Sequence, residues 1–233
     1  MNFAVILSGG IGSRMKGIDV PKQYLEFCGK SILAYTLEIF ENNSEIDRII
    51  IVANEVWHKK IIETIKKCKI SKFQTFAMPG ETRQESVRNG LEKCLCTCFN
   101  DKVVVHDAVR PLVSSNLISK CLSMLSDYDG CMPVLSVNDT IYFSKDGETI
   151  DNLLDRSTLY AGQSPEAFNL KKYREINFNA TKEVLMNIRG SSEIAFLNGL
   201  NIALIPGEDS NFKITTIADL ERFKVIVEKE SKG

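Results

Sequence analysis

The sequence predicts an α/β fold in which helices cover both faces of a doubly wound, mostly parallel sheet. Short runs rich in β-branched residues are typical of buried strands, and they recur along the chain. Between them lie longer segments whose apolar residues are three and four positions apart, as in amphipathic helices. This alternation favours parallel pairing, and the carboxyl ends of the strands then meet at one edge of the sheet.

The elements follow in chain order from these two patterns. The run Asn2-Phe3-Ala4-Val5-Ile6-Leu7 predicts the first strand, and Ile49-Ile50-Ile51-Val52 lies within the second. The predicted strands cover residues 2–7, 47–53, 73–77, 102–106, 131–135 and 202–205. The predicted helices cover residues 31–42, 55–67, 83–95, 115–127 and 216–229. We expect a single domain, residues 1–233, because a chain of this length can bury one large core.

Residues 137–158, here called the arm, interrupt the alternation. Asp139-Thr140-Ile141-Tyr142-Phe143 and the segment 149–154 flank a Lys-Asp-Gly-Glu turn, which predicts a β-hairpin. A lone hairpin has too little core to be stable by itself. We therefore expect the arm to project from the domain and to pack on a second copy of the chain, which predicts a homodimer.

The composition excludes several classes of protein. With 44% hydrophobic and 25% charged residues and a formal net charge of −1, the chain is typical of globular proteins. A general nucleic-acid binder would need a strong positive field, so we expect no nucleic-acid partner. No apolar run approaches the roughly 20 residues of a membrane span. Because a basic leader with a cleavage site is also missing, we expect a cytoplasmic protein without a membrane partner.

The seven cysteines are an odd number in a chain without an export signal, so we expect reduced thiols. Cys94, Cys96 and Cys98 form a cluster. A closed zinc site needs about four ligands, usually paired as C-x2-C, and His58 and His106 are far away in the sequence. We interpret the three cysteines as small buried apolar residues near a helix end.

The most informative segment follows the first strand and reads Ser8-Gly9-Gly10-Ile11-Gly12-Ser13-Arg14-Met15. Glycines allow backbone N–H groups to approach phosphate oxygens, and Arg14 and Lys22 add two positive charges. One alternative is a plain turn between strand and helix. An NAD site would need a third glycine where Met15 stands, and a P-loop would need Gly-Lys-Ser/Thr. A cradle for a nucleoside triphosphate is the favoured interpretation.

Two further segments follow predicted strands and should face the same crevice. They are Pro79-Gly80-Glu81-Thr82-Arg83-Gln84-Glu85-Ser86 and His106-Asp107-Ala108-Val109-Arg110-Pro111. Asp107 could form only a local ion pair with Arg110, as is common at surfaces. A Mg²⁺ ligand is the favoured role for Asp107, because Mg²⁺ uses one or two carboxylates together with substrate phosphates. Lys213, ahead of the last predicted helix, has no interpretation by itself.

Seven segments, in order across residues 3–220, carry a resemblance to a known family. They are SGGIGSRM, PKQYLEF, GETRQESVRNGL, VHDAVRP, NDTI, DRSTLYAGQSPEAF and GEDSNFKITTIADL. Together they resemble the cytidylyltransferases that join a polyol phosphate to CTP, the family of 2-C-methyl-D-erythritol 4-phosphate cytidylyltransferase and ribitol-5-phosphate cytidylyltransferase. The resemblance implies a Rossmann-like nucleotidyltransferase fold and a Mg²⁺-dependent enzyme that makes a CDP-polyol and pyrophosphate.

The resemblance also implies roles for individual residues. The catalytic residues would be Arg14, Lys22 and Lys213. The CTP site would comprise Ser8, Gly9, Gly10, Gly12, Arg14, Met15, Lys22, Gly80, Glu81, Ser86, Ala108, Arg110 and Lys213. Asp107, Thr140 and Arg156 would bind the polyol phosphate, with Thr140 and Arg156 contributed by the partner's arm, and Asp107 would also hold Mg²⁺.

The implied reaction needs no general base, because the attacking phosphate monoester, with a second pKa of about 6, is already largely ionised at neutral pH. Aligning two anions and neutralising the charge that develops is work for cations, which the chain supplies. A nucleotide-binding protein without turnover is the alternative from another class. The full set of cationic positions argues against it.

The choice of polyol phosphate depends on weaker signals. LYAGQSPEAF, GEDSNFKITT and Trp57 resemble the ribitol-phosphate branch more than the isoprenoid branch. Ser192, followed by Glu193, departs from both branches, which have an acidic residue where Ser192 stands. D-ribitol 5-phosphate is the predicted substrate and 2-C-methyl-D-erythritol 4-phosphate, of isoprenoid biosynthesis, the alternative. Another polyol or sugar phosphate that feeds a capsule or teichoic-acid-like polymer is a further option.

Overall fold

The structure, a computed structural model, describes residues 1–10, 20–95 and 98–230. These residues are built around a mixed, mostly parallel sheet of eight strands. The strands, including those of two small hairpins, are β1 Asn2–Leu7, β2 Glu26–Phe27, β3 Lys30–Ser31, β4 Arg48–Val52, β5 Phe73–Ala77, β6 Lys102–Asp107, β7 Gly130–Ser136, β8 Ile141–Phe143, β9 Asn152–Leu154, β10 Tyr160–Gly162, β11 Glu166–Asn169 and β12 Ile202–Pro206. Each of the six predicted strands is confirmed, with ends that differ by one residue at most.

The sheet has the order β7-β11-β6-β1-β4-β5, with β10 and β12 also paired to β7. β1 pairs in parallel with both β4 and β6, and Leu7 lies opposite Val52 on one side and Asp107 on the other. The backbone continues this alignment, because Ser8 N donates to Val52 O at 2.8 Å and Ala108 N donates to Leu7 O at 3.1 Å. The carboxyl ends of these strands therefore meet at one edge, as predicted.

The helices are α1 Ile32–Asn42, α2 His58–Lys67, α3 Arg83–Glu92, α4 Ser115–Ser123, α5 Leu170–Asn179, α6 Lys182–Asn187, α7 Ser191–Leu197 and α8 Ile217–Glu230. Side-chain oxygens of Ser31, Thr82 and Ser114 accept hydrogen bonds at the N-termini of α1, α3 and α4. The second helix begins at His58 rather than at residue 55, because the Asn54 side chain starts a short 3-10 turn first.

The segment between the predicted strands 131–135 and 202–205 holds elements that the sequence patterns missed. β10 and β11 run antiparallel to β7, and β11 is also antiparallel to β6. Ser164-Pro165 separates the two strands with a cis peptide bond. α6 has 6 residues and α7 has 7, too few for a clear periodic signal.

Two apolar layers confirm that helices cover both faces of the sheet. Ala4 and Ile6 of β1 join the layer packed by α1, α2 and α4. Phe3 and Val5, which point the other way, join the layer packed by α3, α5, α6 and α7. A third cluster packs α8 against Val109 and α1. The described residues contain no helix with the length and apolar character that a membrane crossing requires.

The arm is a hairpin, as predicted, with β8 paired antiparallel to β9. The carboxylate of Asp146 fixes its tip by accepting from the backbone of Glu148 and Thr149. Gly147 has a φ of 78°, a conformation that favours glycine. Most of the arm is exposed, including the apolar side chains of Tyr142, Phe143, Ile150 and Leu153.

The cysteine cluster is only partly as predicted. Cys94 is buried in the second layer, whereas Cys96 lies outside the described residues. Cys98 is exposed, so its interpretation as a buried residue is wrong. The reason is the turn ahead of β6, where Cys98 N donates to the carboxylate of Asp101 and the thiol is left at the surface.

Candidate active site

A cavity of about 500 Å³ opens where β1, β5 and β6 end. It is lined by Leu7, Gly9, Gly10, Lys22, Gln23, Pro79, Gly80, Glu81, Thr82, Arg83, Ser86, Asp107, Val109 and Lys213. The structure thus brings together Gly9 and Gly10 of the glycine loop, the turn before α3 and Asp107, as predicted from the ends of the strands. Lys22 and Lys213 line the same cavity. Gly12, Arg14 and Met15 lie outside the described residues.

The start of the glycine loop is fixed by its neighbours. The buried amide of Gln23 donates from Nε2 to Ser8 O and to Gly10 O, both at 2.8 Å. At Gly9, a Cβ atom would lie 2.5 Å from Cβ of Pro79, so this position requires glycine. Gly10 has no such neighbour within 4 Å. Gln23 therefore holds both carbonyl groups in place, and the close approach at Gly9 joins the loop to the turn before α3.

That turn is closed by its own side chains. Gly80 N donates to Ser86 Oγ at 3.0 Å, and Ser86 Oγ donates to Thr82 O at 2.9 Å. Glu81 N donates to the Glu85 carboxylate at 2.7 Å. A Cβ atom at Gly80 would lie 2.2 Å from Cβ of Glu85, so the turn is too tight for a side chain there. Ser86 thus shapes the wall of the cavity through the backbone of Gly80.

Asp107 lies at the centre of a cluster of cations. Its Oδ2 atom is 2.9 Å from Lys213 Nζ and 3.8 Å from Arg110 Nε, and its Oδ1 atom is 3.4 Å from Arg83 Nη2. Burial by itself raises the pKa of this carboxyl, but the charges of Arg83, Lys213 and Arg110 outweigh burial and hold the pKa well below its usual range. Asp107 is therefore ionised at neutral pH.

Lys213 reaches Asp107 because its segment packs along the end of β6. Ile214 N donates to Val109 O at 2.9 Å, and Arg110 Nη1 donates to Asn211 O at 2.6 Å. The side chain of Ile214 is buried with Val109 in the cluster beneath α8. The last segment of the chain therefore supplies one cation to a site built mainly by the first half.

Three predicted CTP residues lie beside the cavity rather than in its lining. Ser8 is buried with Gln23 and Tyr24. Ala108 is fully buried, and its carbonyl accepts from Thr36 Oγ1 at 3.0 Å. Arg110 is half-buried behind Asp107. In this structure these residues support the side chains that reach the cavity.

Thr140 and Arg156 are both exposed on the arm, and neither is among the residues that line the cavity within the described chain. Arg156 donates to the backbone carbonyl of Asn138, also on the arm. The structure of one chain therefore does not bring them to the site. Their predicted role in a partner's site stays a prediction.

The sequence patterns missed Arg83, which lines the cavity and contacts two carboxylates. Its Nη2 atom is 3.3 Å from Glu166 Oε1, and its Nη1 atom donates to Ser191 Oγ at 2.6 Å. Glu166 Oε2 in turn accepts from Ser192 N and Ser192 Oγ, both at 2.7 Å. A cation in the first turn of a helix is unfavourable to the helix dipole, and this local conflict is the signal that could have pointed to Arg83.

Comparison with known proteins decides the family. The family described as IspD, 2-C-methyl-D-erythritol 4-phosphate cytidylyltransferase, matches residues 2–229. The chain belongs to this family. A relative named ribitol-5-phosphate cytidylyltransferase, from Vibrio parahaemolyticus serotype O3:K6, is 30% identical over 99% of this chain and 97% of its own length. The predicted family and enzyme class are therefore confirmed, and the chain is a cytidylyltransferase.

Solved structures of IspD-type enzymes share the fold. The 4-diphosphocytidyl-2C-methyl-D-erythritol synthase of Anaerococcus prevotii superposes with a TM-score of 0.83 at 24% identity, covering 97% of this chain and 96% of its own. The 2-C-methyl-D-erythritol 4-phosphate cytidylyltransferase of Francisella tularensis gives 0.79 at 25% identity, covering 95% and 97%. The predicted nucleotidyltransferase fold is confirmed.

Proposed function

We propose that this cytidylyltransferase transfers the cytidylyl group of CTP to D-ribitol 5-phosphate and releases CDP-ribitol and pyrophosphate. The observation that supports this substrate is the relative named ribitol-5-phosphate cytidylyltransferase, which is similar over almost the whole of both chains. The cavity supports the nucleotide half of the proposal, because Gly9 and Gly10 of the glycine loop and two lysines line the same space.

The chemistry follows from the charges of the two substrates. A phosphate oxygen of the polyol phosphate attacks the α-phosphorus of CTP, the new P–O bond forms, and the bond from the α-phosphorus to the bridging oxygen breaks. Pyrophosphate leaves with that electron pair. The attacking oxygen is already ionised, so no proton has to be removed. Lys22, Lys213 and Arg14 would hold the triphosphate and neutralise the charge of the leaving group.

The nucleotide would lie with its triphosphate over the glycine loop and its base toward the turn before α3. Gly80 and Glu81 present backbone at that wall, and the turn is closed by Ser86. Their N–H groups are bonded to Ser86 and Glu85, so their carbonyl groups are the ones that would meet the edge of a base, without a loss of side-chain entropy on binding. We therefore assign selection of cytosine to Gly80, Glu81 and Ser86.

We assign the binding of a divalent cation to Asp107. This carboxylate is ionised and lines the cavity, and Mg²⁺ is commonly bound by one or two carboxylates with substrate phosphates completing its coordination. When bound, Mg²⁺ would add positive charge beside the phosphates. Asp107 would then hold the metal as well as orient Lys213.

The binding site for the polyol phosphate would be completed by the arm of a second chain. Thr140 and Arg156 of that arm would bind the phosphate group of the substrate. The arm supports this homodimer because Tyr142, Phe143, Ile150 and Leu153 expose apolar surface that a partner would cover. We place the reaction in the cytoplasm, where nucleoside triphosphates are available, and its product would feed a capsule or cell-wall polymer.

A second candidate substrate is 2-C-methyl-D-erythritol 4-phosphate, which the description of the family names. The deciding experiment measures pyrophosphate release with CTP and Mg²⁺ against ribitol 5-phosphate, 2-C-methyl-D-erythritol 4-phosphate and glycerol 3-phosphate. We expect the highest kcat/KM with ribitol 5-phosphate. Release with 2-C-methyl-D-erythritol 4-phosphate alone would favour the second candidate, and CTP binding without release from any substrate would favour a protein without turnover.

A further inference from the structure

Glu166 is a buried carboxylate that the proposed chemistry does not use. It lies at the start of β11 and is only 5% exposed. Its Oε2 atom accepts from both the backbone N–H and the hydroxyl of Ser192, and its Oε1 atom faces Arg83. A charge is costly to bury unless it is paired and hydrogen-bonded, so each of these contacts matters.

The register of the sheet explains why Arg83 lies where it does. Glu166 pairs with Val105 in the antiparallel β11–β6 ladder, and Asp107 lies two residues further along β6. Residues two apart on a strand share a face, so both carboxylates are on the face that α3 covers. Two carboxylates so placed repel each other unless a cation lies between them. Arg83, at the start of α3, is that cation.

Every nitrogen of the Arg83 guanidinium has a partner. Nε and Nη2 donate to Asp107 Oδ1 at 3.4 Å, Nη2 also donates to Glu166 at 3.3 Å, and Nη1 donates to Ser191 Oγ. A guanidinium bound on all sides has lost its freedom to follow a ligand. Arg83 is therefore fixed by the fold, and it in turn contacts the side of Asp107 opposite Lys213.

We propose that Glu166 is a positioning residue, which holds Arg83 against Asp107 and so orients the Asp107 carboxylate toward Lys213 and the substrates. The chain of contacts runs from Ser192 through Glu166 and Arg83 to Asp107. It also gives a role to Ser192, whose backbone N–H and hydroxyl both donate to Glu166. The carboxylate beside Arg83 comes from β11 in this chain, and Ser192 binds it.

The proposal rests on the proposed function, and the test compares two matched substitutions. Glu166→Gln removes the charge that faces Arg83. Glu208→Gln is the control, because the Glu208 carboxylate likewise accepts from the backbone N–H and the hydroxyl of one serine, Ser114, and it forms no ion pair among the described residues. Measurements are pyrophosphate release, KM for CTP and the thermal midpoint.

We expect Glu166→Gln to lower kcat about tenfold or more, the effect of losing a hydrogen bond between charged groups. KM for CTP should change less than about threefold, because Glu166 does not line the cavity. Glu208→Gln should keep kcat within about twofold of the unaltered enzyme, even if its thermal midpoint falls as much as that of Glu166→Gln. A folded Glu166→Gln enzyme with unchanged kcat would overturn the proposal.

A swap of the carboxylate separates positioning from a general loss of stability. Because Ser192 Oγ is 2.7 Å from Glu166 Oε2, Ser192→Asp places a carboxylate close to the one that Glu166→Gln removes. The double variant should recover kcat to within about threefold of the unaltered enzyme. A folded double variant no more active than Glu166→Gln would also overturn the proposal. If Glu166→Gln does not fold, the test uses the double variant and Ser192→Ala instead. We expect Ser192→Ala to lower kcat, but by less than the tenfold predicted for Glu166→Gln, and an unchanged kcat would overturn the proposal.

A crystal structure of the Glu166→Gln variant supplies a readout besides activity. We expect the Arg83 guanidinium to leave Asp107 in that structure, and an unchanged contact would refute the positioning role. This result is independent of substrate. If the unaltered enzyme released no pyrophosphate from any polyol phosphate, the proposed function would fail, and the position of Arg83 would still decide the role of Glu166.

Discussion

Replacing Lys213 with alanine should separate catalysis from stability. Lys213 Nζ is 2.9 Å from Asp107 Oδ2, and its side chain is 35% exposed. Water can screen this partly exposed ammonium, so we expect it to contribute about 0 to 1 kcal/mol to the stability of the fold. Asp107 also keeps Arg83 at 3.4 Å and Arg110 at 3.8 Å, so its charge stays paired. The thermal midpoint should therefore fall by no more than about 4 °C.

The expected effect on the reaction is much larger. A preorganised donor to the charge of a transition state contributes about 3 to 4 kcal/mol, so Lys213→Ala should lower kcat by roughly 10² to 10³. The assay is pyrophosphate release at saturating CTP. Lys224→Ala, which removes an exposed lysine of α8, is the control for the change in net charge. A folded Lys213→Ala enzyme with kcat within threefold of the unaltered enzyme would refute the role of Lys213.

Three other predictions concern the carboxylate, the glycine loop and the arm. Asp107→Asn should lower the free energy of unfolding by about 3 to 5 kcal/mol at pH 7, because it leaves buried cations unbalanced. The depressed pKa of Asp107 means that its stabilisation is complete above its unfolded pKa of about 3.9 and is lost as the pH falls through the folded pKa. The free energies of unfolding of the unaltered protein and of Asp107→Asn, measured with denaturant, should thus become more similar as the pH falls toward 3. A difference that stays constant with pH would contradict the ion-pair cluster. Gly9→Ala should weaken CTP binding in calorimetry and cost about 1 to 3 kcal/mol of stability, since its Cβ would meet Pro79 at 2.5 Å, whereas Gly10→Ala should leave the stability unchanged. Equal losses of stability at Gly9 and Gly10 would show that the close approach of Gly9 to Pro79 is unimportant. For the proposed homodimer, Leu153→Asp should lower the mass in light scattering to that of a monomer without unfolding the domain, and a dimer of unchanged mass would exclude this face of the arm.

The sequence was sufficient for features that depend on local pattern. The strand at residues 2–7, the glycines after it and the motif around Asp107 all have a local signature, and the rule that ligands lie beyond the carboxyl ends of strands brought them to one crevice. Lys213 had no local signature, and only the resemblance gave it a role. Its position depends on Ile214 packing with Val109, a contact between distant parts of the chain.

Arg83 and Glu166 were beyond such reasoning for the same physical reason. They are 83 positions apart, and their contact depends on the antiparallel register of β11, a strand of four residues that no periodic pattern revealed. The arm shows another limit. Its hairpin was predicted from turn chemistry, but the proposed site would take residues from two chains, and the pattern of one chain does not place them together.

The exposed arm also has a genetic consequence. With the cavity on one chain and Thr140 and Arg156 presented on the arm, a site would draw on two copies of the same gene product. A chain with Lys213→Ala keeps an intact arm, and a chain with Arg156→Ala keeps an intact cavity. In the proposed homodimer, making both chains in equal amounts would give half mixed dimers, each with one intact site, so about one site in four would work. Two inactive variants would then complement each other and restore the pyrophosphate release that neither supports alone.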